Sequence, residues 1–346
     1  MEWIVTLISE LSQLGGVSGD ESRVADYIEE KIRDFADDCR RDRLGNLIAF
    51  RKGTDSSKKL MLCAHMDEVG LLVSYITDEG LLRFQPVGGI DPRVITGRRV
   101  LVGEKQVPGV IGTKAIHIQT PEERKQAPGF DRLYIDIGAT SREDAQKAVS
   151  LGDCAVFDSD FVTFGDGCIK AKALDNRVGC AVLMESMRMR PHYDTYYVFS
   201  VGEEVGLRGA YTSSYDIEPD FAVAIDSTTT ADYAGVDERD QGLKLGGGCA
   251  LFLMESTTYY FKDTLKKVRR IAQENGVRYQ MKQIMVGGLD AGGIQRTASG
   301  VETASVATPC RYLHSPSCMM KISDILETEK LVAALCQSAD LMKRRS

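Results

Sequence analysis

Two of the four histidines in the chain stand where apolar runs end. LMLCA closes on His65, with Asp67 two residues further on, and SVATPCRYL closes on His314. Acids hold matching places elsewhere. YYVFSVG leads into Glu203 and Glu204, FAVAI leads into Asp226, and Asp175 sits in KALDNRVGC just before a helical pattern. In open α/β sheets, ligands gather at the carboxyl ends of strands. Imidazole and carboxylate without cysteine suit a hydrolytic zinc-, cobalt- or manganese-type centre. A single catalytic zinc takes three protein ligands and keeps one open position. Two histidines and three or four acids exceed that set. They suit two divalent ions ~3.5–4 Å apart that share a carboxylate and a water. Such a pair acidifies the water and polarises a carbonyl, and a neighbouring carboxylate that is not a ligand acts as general base. Glu203 and Glu204 supply both roles, because successive side chains point in different directions. Taken singly, each group has a blander reading as a turn, a solvated sheet edge, a core histidine or a helix N-cap. Their common position after apolar runs favours the metal centre.

The elements that must position these groups follow from periodicity. Trp3, Ile4, Leu7, Ile8, Leu11 and Leu14 recur at helical spacing, with Glu2 and Glu10 among them. This predicts an amphipathic helix rather than a signal peptide. Residues 20–35 predict a second helix, with Val24, Tyr27, Ile28, Ile32 and Phe35 along one face. A strand at 46–50, a charged turn over Arg51–Lys59 and the buried strand LMLCA come next. Continuous apolar strands suit a sheet covered by helices on both faces. Between about 70 and 160 the chain turns β-rich. Short runs such as LLVSYI, RVLV, CAVF and FVTF are punctuated by Gly and Pro, and one helix starts at the capping box Ser141-x-x-Asp144. The α/β rhythm then returns with NRVGCAVLMESMRM and FKDTLKKVRRIAQENG as helices. The fold class is therefore α/β: a mixed sheet sandwiched by helices, with a small inserted β-rich domain. Residues 1–68 and 162–346 form the host domain and 69–161 the insert.

The 346 residues suggest two domains, and the net charge of −7 argues against nucleic acid and anionic membranes as partners. The short basic tail Lys343-Arg344-Arg345 is the exception to the lack of a basic stripe. No uncharged run reaches the ~20 residues of a membrane span. Nine cysteines, without C-x-x-C, fit reduced thiols in a cytoplasmic protein.

AHMDEVG, ALDNR, GEEVGLRGA, the IDST stretch and YLHSP resemble, in order, the signature segments of the tetrahedral-assembly (TET) metallo-aminopeptidases. That family includes glutamyl aminopeptidases and proteins once labelled endoglucanase M, and the resemblance covers nearly the whole chain. It implies a zinc-peptidase-like host domain and a β-barrel-like dimerisation insert. It implies two metal ions, with His65 and Asp226 on one, Glu204 and His314 on the other, and Asp175 bridging both. Glu203 becomes the general base, and Asp67 orients His65 from behind the metal. Removal of single residues from peptide N-termini is implied, as is a homo-oligomer of dimers assembling into a dodecamer. The sequence departs from the family at Leu289 within Gly288-Leu289-Asp290-Ala291, at Ala231-Asp232-Tyr233-Ala234 and at Gly248-Cys249. Substrate contacts are expected there, from Gly288 and Asp290, and from Arg311; Arg208 is a further cation near a signature segment.

Other hydrolases on the same scaffold, such as a deacylase, and a non-catalytic scaffold are the alternatives. A glycanase fits poorly, because it needs two opposed carboxylates and no metal. Cys63, Cys310 and Cys318 lie close in sequence to the two histidines but read as small buried hydrophobes. His117 reads as a strand or surface residue of the insert, the alternative being a histidine that reaches the site from the insert or from a neighbouring subunit, and His192 reads as an exposed turn residue. GLKLGGGCAL lacks the pattern of a phosphate loop and reads as tight backbone near the pocket.

Overall fold

The strand Asp55–His65 sets the architecture. Leu60, Leu62 and Ala64 point into one core, and Met61 and Cys63 into another. A strand that is apolar on both faces must lie inside a sheet with helices on each side. The computed structural model, which describes residues 2–343, has that arrangement; Arg344 and Arg345 of the basic tail lie outside the described residues. Tyr193–Ser200 and Phe221–Thr229 flank the strand in parallel, and Glu302–Arg311 runs parallel beyond the latter. Leu47–Arg51 and Asp38–Arg41 extend one edge antiparallel. Cys318–Lys321, Cys168–Ala171 and Val162–Phe164 extend the other. Cys249–Phe252 and Tyr279–Lys282 branch from Glu302–Arg311 to complete a mixed sheet of eleven strands.

The helices Glu2–Gln13, Ser22–Ile32, Leu174–Ser186, Lys262–Glu274 and Ile322–Gln337 close the larger core. Arg208–Ile217 and Asp290–Gln295 cover the opposite face. After His65 the chain leaves the sheet and builds a closed barrel. Its strand order is Gly70–Ile76, Leu82–Val87, Tyr134–Asp136, Val107–Gly112, Arg99–Val102 and Cys154–Phe157. Alternate residues such as Leu71, Val73, Val100, Val102 and Ile135 fill a core separate from those of the sheet. Gly70 marks the junction. A Cβ there would fall 2.3 Å from Val17 Cγ2, so the two units meet closely only because this position is glycine.

The structure differs from the sequence reading in detail. The charged stretch is not all turn: residues 52–54 connect the strands and Asp55–Lys59 already belong to one, carried past the core with half-buried or exposed side chains. Lys58 is held there by Asp220 at 2.7 Å. FVTF joins the edge of the large sheet and not the barrel. The capping box forms, with the Ser141 side chain accepting from the Asp144 amide at 3.2 Å. The insert also holds a four-residue helix at Pro92–Ile95, capped by Asp91, and three single 3-10 turns between 116 and 132. Elements that short carry no readable period.

A buried ion cluster stitches the first helix to the strand ends. Lys172 Nζ lies 2.7 and 2.9 Å from the two Glu68 carboxylate oxygens, and an Arg177 nitrogen lies 3.1 Å from one of them. Both cations also donate to the Leu14 carbonyl, and Arg177 donates to Met66 as well. Glu68→Gln leaves two buried cations without a counter-charge, and breaking such pairs costs about 3–5 kcal/mol. Urea denaturation should show a loss of that size; a midpoint unchanged from the parent protein would contradict it.

Candidate metal centre

The parallel strands end along one edge of the sheet, and this edge assembles the chemistry. His65 is in register with Ser200, so the turn to Glu203 and Glu204 starts beside it. Asp226 lies in the neighbouring strand on the other side. His314 follows Glu302–Arg311 in a loop. Asp175 stands at the start of Leu174–Ser186, where its backbone and that of Asn176 are not helical and the peptide between them is cis. The Asn176 side chain donates to the Ile225 carbonyl at 2.8 Å, which ties Asp175 to the Asp226 strand.

Six side chains meet in one cleft of about 340 Å³: His65, Asp175, Glu203, Glu204, Asp226 and His314. Asp175 faces both imidazoles with different oxygens. Its Oδ1 is 3.4 Å from His65 Nε2 and its Oδ2 is 3.3 Å from His314 Nε2. On the His65 side, Asp226 Oδ1 lies at 3.6 Å and Glu203 Oε2 at 3.9 Å. On the His314 side, Glu204 Oε1 lies at 3.2 Å. Each ring is oriented through its other nitrogen. His65 Nδ1 donates to the Asp67 carbonyl at 3.0 Å, and His314 Nδ1 donates to the Gly89 carbonyl of the insert at 2.8 Å. Both Nε2 atoms are thereby turned to the acids.

Asp67 faces His65 Nδ1 with its carbonyl at 3.0 Å and its carboxylate at 3.4 Å, and the carboxylate has further contacts. It accepts from Ser18 Oγ at 2.6 Å and from the backbone amides of Glu203 and Glu204 at 3.1 Å each. The carboxylate therefore fixes the turn that presents the two glutamates. The backbone around the cleft is strained: Ala173, Leu207, Tyr312 and His314 all have φ between 53° and 60° without being glycine.

The electrostatics show crowded negative charge. Burial pushes Glu203 well above the usual carboxylate range; Asp226, Asp290 and Glu204 add to the rise while His65 opposes it. Burial also raises Glu204, and burial with Asp175 pushes Asp226 up to about 7. For the imidazoles burial works downward, but the acids outweigh it. His314 is raised to about 11 by Asp175 and Glu204, and His65 well above its ordinary value by Glu203, Asp175 and Asp226. Asp175 Oδ1 and Glu204 Oε1 are buried and make no hydrogen bond of acceptable geometry. Buried acids with idle oxygens beside two oriented imidazoles are a donor set for divalent cations. The atoms form two overlapping groups, His65–Asp175–Glu204 and His65–Glu203–Asp226, each within 4.8 Å.

Gly288 lines the cleft, and a Cβ there would lie 2.8 Å from the Thr257 side chain. Asp290 does not line it: the carboxylate is buried behind the sheet edge, accepting from Ser200 at 2.5 Å and Cys63 at 3.4 Å. Arg311 does not line it either, because its guanidinium is committed to Asp232 at 2.8 and 2.9 Å. GLKLGGGCAL is tight but remote; the Gly246 and Gly248 amides bind Asp324 instead. His117 is exposed, and His192 is half-buried against Tyr193 rather than exposed. The cysteines are free and none lines the cleft. Gly89, Ser18 and Lys282 also contribute at or behind the cleft, and no motif marks them. The first two act through a backbone carbonyl and a distant hydroxyl, and no spacing signals either. Lys282 ends a short strand that only the pairing reveals.

The family model described as M42 glutamyl aminopeptidase matches residues 45–331. Lysyl aminopeptidase of Pyrococcus furiosus is 31% identical over 96% of this chain and 96% of its own. Among solved structures, an aminopeptidase from the archaeon Desulfurococcus kamchatkensis superposes with a TM-score of 0.93 at 35% identity, covering 97% of this chain and 95% of that one. The TET1 peptidase of Pyrococcus horikoshii, described as assembling into a tetrahedron or a large octahedral shell, has a TM-score of 0.86 at 34% identity, covering 97% and 99%.

Cation binding must displace the protons that the crowded acids hold on the two imidazoles. With His314 raised to about 11 and Asp226 to about 7, loading near neutral pH should release protons and weaken as pH falls. Calorimetric titration with zinc in buffers of different ionisation enthalpy should give different apparent enthalpies. Identical values would contradict this.

Proposed function

The chain belongs to the M42 glutamyl aminopeptidase family and is an aminopeptidase; from that premise we propose that the cleft would hold two divalent ions and that Glu203 moves the proton as the first peptide bond opens. One observation carries the reading: Asp175 turns one oxygen to His65 and the other to His314. A carboxylate so placed suits a bridge between two ions. His65 and Asp226 would hold one ion, Glu204 and His314 the other. Zinc, cobalt and manganese all suit these donors. When bound, the ions would supply Lewis acidity to the scissile carbonyl and acidify a water.

Glu203 is the proton carrier in this proposal. Its carboxylate is the furthest of the facing acids from His65, at 3.9 Å, although the distances alone would also allow it as a ligand. Burial raises its proton affinity, which suits a group that takes a proton from water and passes it to the departing amine. Asp67 holds the Glu203 amide and so sets where that carboxylate points. The departing peptide would leave through an adjoining hollow of about 690 Å³, which shares His314 and Leu313 with the cleft. Tyr233 and Tyr312 stack at its open side, 44% and 52% exposed.

The finer assignments belong to the same proposal. The host domain is 1–68 with 162–346, and the insert 69–161 carries a dimer contact. Dimers would build a hollow dodecamer, as the tetrahedral assembly of the Pyrococcus horikoshii relative supports. Peptides are the substrates, and a reducing, cytoplasmic compartment fits the free thiols.

Two substitutions test the roles. Glu203→Gln should keep both ions and the fold while turnover falls by about 1,000-fold or more, within the range of a lost general base combined with a lost charge. Near-normal turnover would remove Glu203 from that role. Asp175→Ala should bring bound metal, measured by plasma mass spectrometry, from two equivalents to none; full retention would contradict the bridge.

A further inference from the structure

We propose that the hollow beyond His314 selects the second residue of the substrate: its stacked tyrosines take an aromatic or large apolar side chain, and Arg98 takes the free carboxylate of a short peptide. The inference rests on the aminopeptidase reading and deepens it, since it names the peptides that the cleft would turn over. The hollow and the cleft are continuous. Gly89, Thr229, Gly287, Leu313 and His314 line both. Nothing precedes the first residue of an aminopeptidase substrate. Only the chain beyond the scissile bond needs a way out, and a peptide bound beside His314 has that chain in the hollow.

One wall of the hollow is aromatic. The Tyr233 and Tyr312 rings stack with centroids 6.1 Å apart and planes 27° apart. The ion pair described above sets this stack. Each tyrosine directly follows one of its members: Tyr233 follows Asp232, and Tyr312 follows Arg311. The Arg311 guanidinium holds both Asp232 carboxylate oxygens at 2.8 and 2.9 Å and the Asp232 carbonyl at 2.9 Å. Thr230 adds a hydroxyl to the same carboxylate at 2.8 Å. The two rings are therefore fixed from behind while their faces stay exposed. Val94 of the insert, Leu313 and Pro316 add apolar surface to the same hollow. An apolar side chain laid against this wall leaves water, and a glycine gains nothing there.

Arg98 supplies the charge. Among the described residues it is the one lysine or arginine that lines the hollow. Its backbone is fixed at the barrel edge, where its amide donates to Ile95 and its carbonyl accepts from Ile111. The side chain donates through Nε to the Val94 carbonyl at 3.1 Å. A guanidinium has five N–H donors, and this contact uses one. Among the described residues, no carboxylate oxygen lies within 4.0 Å of it. The acids nearby are placed otherwise. Asp91, which lines the same hollow, accepts from Arg93 Nε with both oxygens, at 2.9 and 2.8 Å. Asp158 and Asp160 line a recess on the other side of Arg98, and Asp158 is paired with Arg99 at 3.2 Å. The guanidinium therefore has a free fork, which suits a carboxylate. The carboxylate that enters this hollow with every short substrate is the peptide's own C-terminus.

The test uses the metal-loaded full chain and peptides that share one first residue, the one whose p-nitroanilide the parent enzyme cleaves fastest. The second residue is Phe or Gly, and each peptide is made as the di- and the tripeptide, with a free or an amidated C-terminus. Release of the first residue is followed by chromatography. With both termini amidated, the Phe peptides should exceed the Gly peptides in kcat/KM by about tenfold. The free acid should exceed its amide by about tenfold in the dipeptide, the tripeptide or both, as a charge-assisted hydrogen bond predicts. Arg98→Gln should bring the acid-to-amide ratio to about one, Arg98→Lys should keep part of it, and Arg98→Glu should invert it. Tyr233→Ser should reduce the Phe-to-Gly ratio by about fivefold, and Tyr233→Phe should keep it. A parent enzyme with either ratio near one would overturn the proposal. So would Arg98→Gln or Tyr233→Ser enzymes whose rates fall by one common factor for all peptides, since that marks residues that only support the fold. No turnover of any peptide or anilide would instead overturn the aminopeptidase reading, and the second-residue assignment with it.

Discussion

Asp175 stands between His65 and His314 with one carboxylate oxygen toward each ring, and much of the surrounding structure serves to keep it there. Glu203, Glu204 and Asp226 crowd the same buried space, so negative charge exceeds what two imidazoles can neutralise. Such an arrangement is costly unless cations fill it. Asn176 ties Asp175 to the Asp226 strand, and Arg177, the next residue, is locked to Glu68 and the Met66 carbonyl. Asp67, between Met66 and Glu68, fixes the two glutamates through their amides. The order of residues 66–68 thus connects both ends of the cluster to one short turn.

The barrel takes part in this arrangement as well as being appended to it. The Gly89 carbonyl of the insert orients the His314 ring, while Gly70 lets the insert approach Val17 closely. The orientation of His314, which follows a strand of the large sheet, therefore depends on backbone contributed by the barrel. The His314 backbone is itself held in the left-handed region, with φ at 56°.

The groups of the centre were legible because their type is unusual at the ends of apolar strands. His65 and Asp226 each follow a run whose burial on both faces is written as continuous hydrophobicity, whereas the strand before His314 is buried although Ser305 and Thr308 interrupt it. What stayed hidden depends on long-range pairing. Asp290 and Arg311 read as substrate groups from their neighbours in sequence, yet Ser200 and Asp232 claim them in space. Lys282 carries no motif, and its place in the cleft follows only from its pairing with Phe252. The charged stretch before LMLCA looked like a turn because its side chains face solvent; backbone pairing with Tyr193 extends the strand regardless of that polarity.

The most direct measurement is anomalous diffraction from a crystal of the full chain grown with zinc and recorded above and below the zinc absorption edge. The expected result is two peaks ~3.5–4 Å apart, one beside His65 and one beside His314, each within coordination distance of a different Asp175 oxygen. A single peak, or a pair that Asp175 does not touch, would contradict the shared bridge on which the proposed catalysis rests.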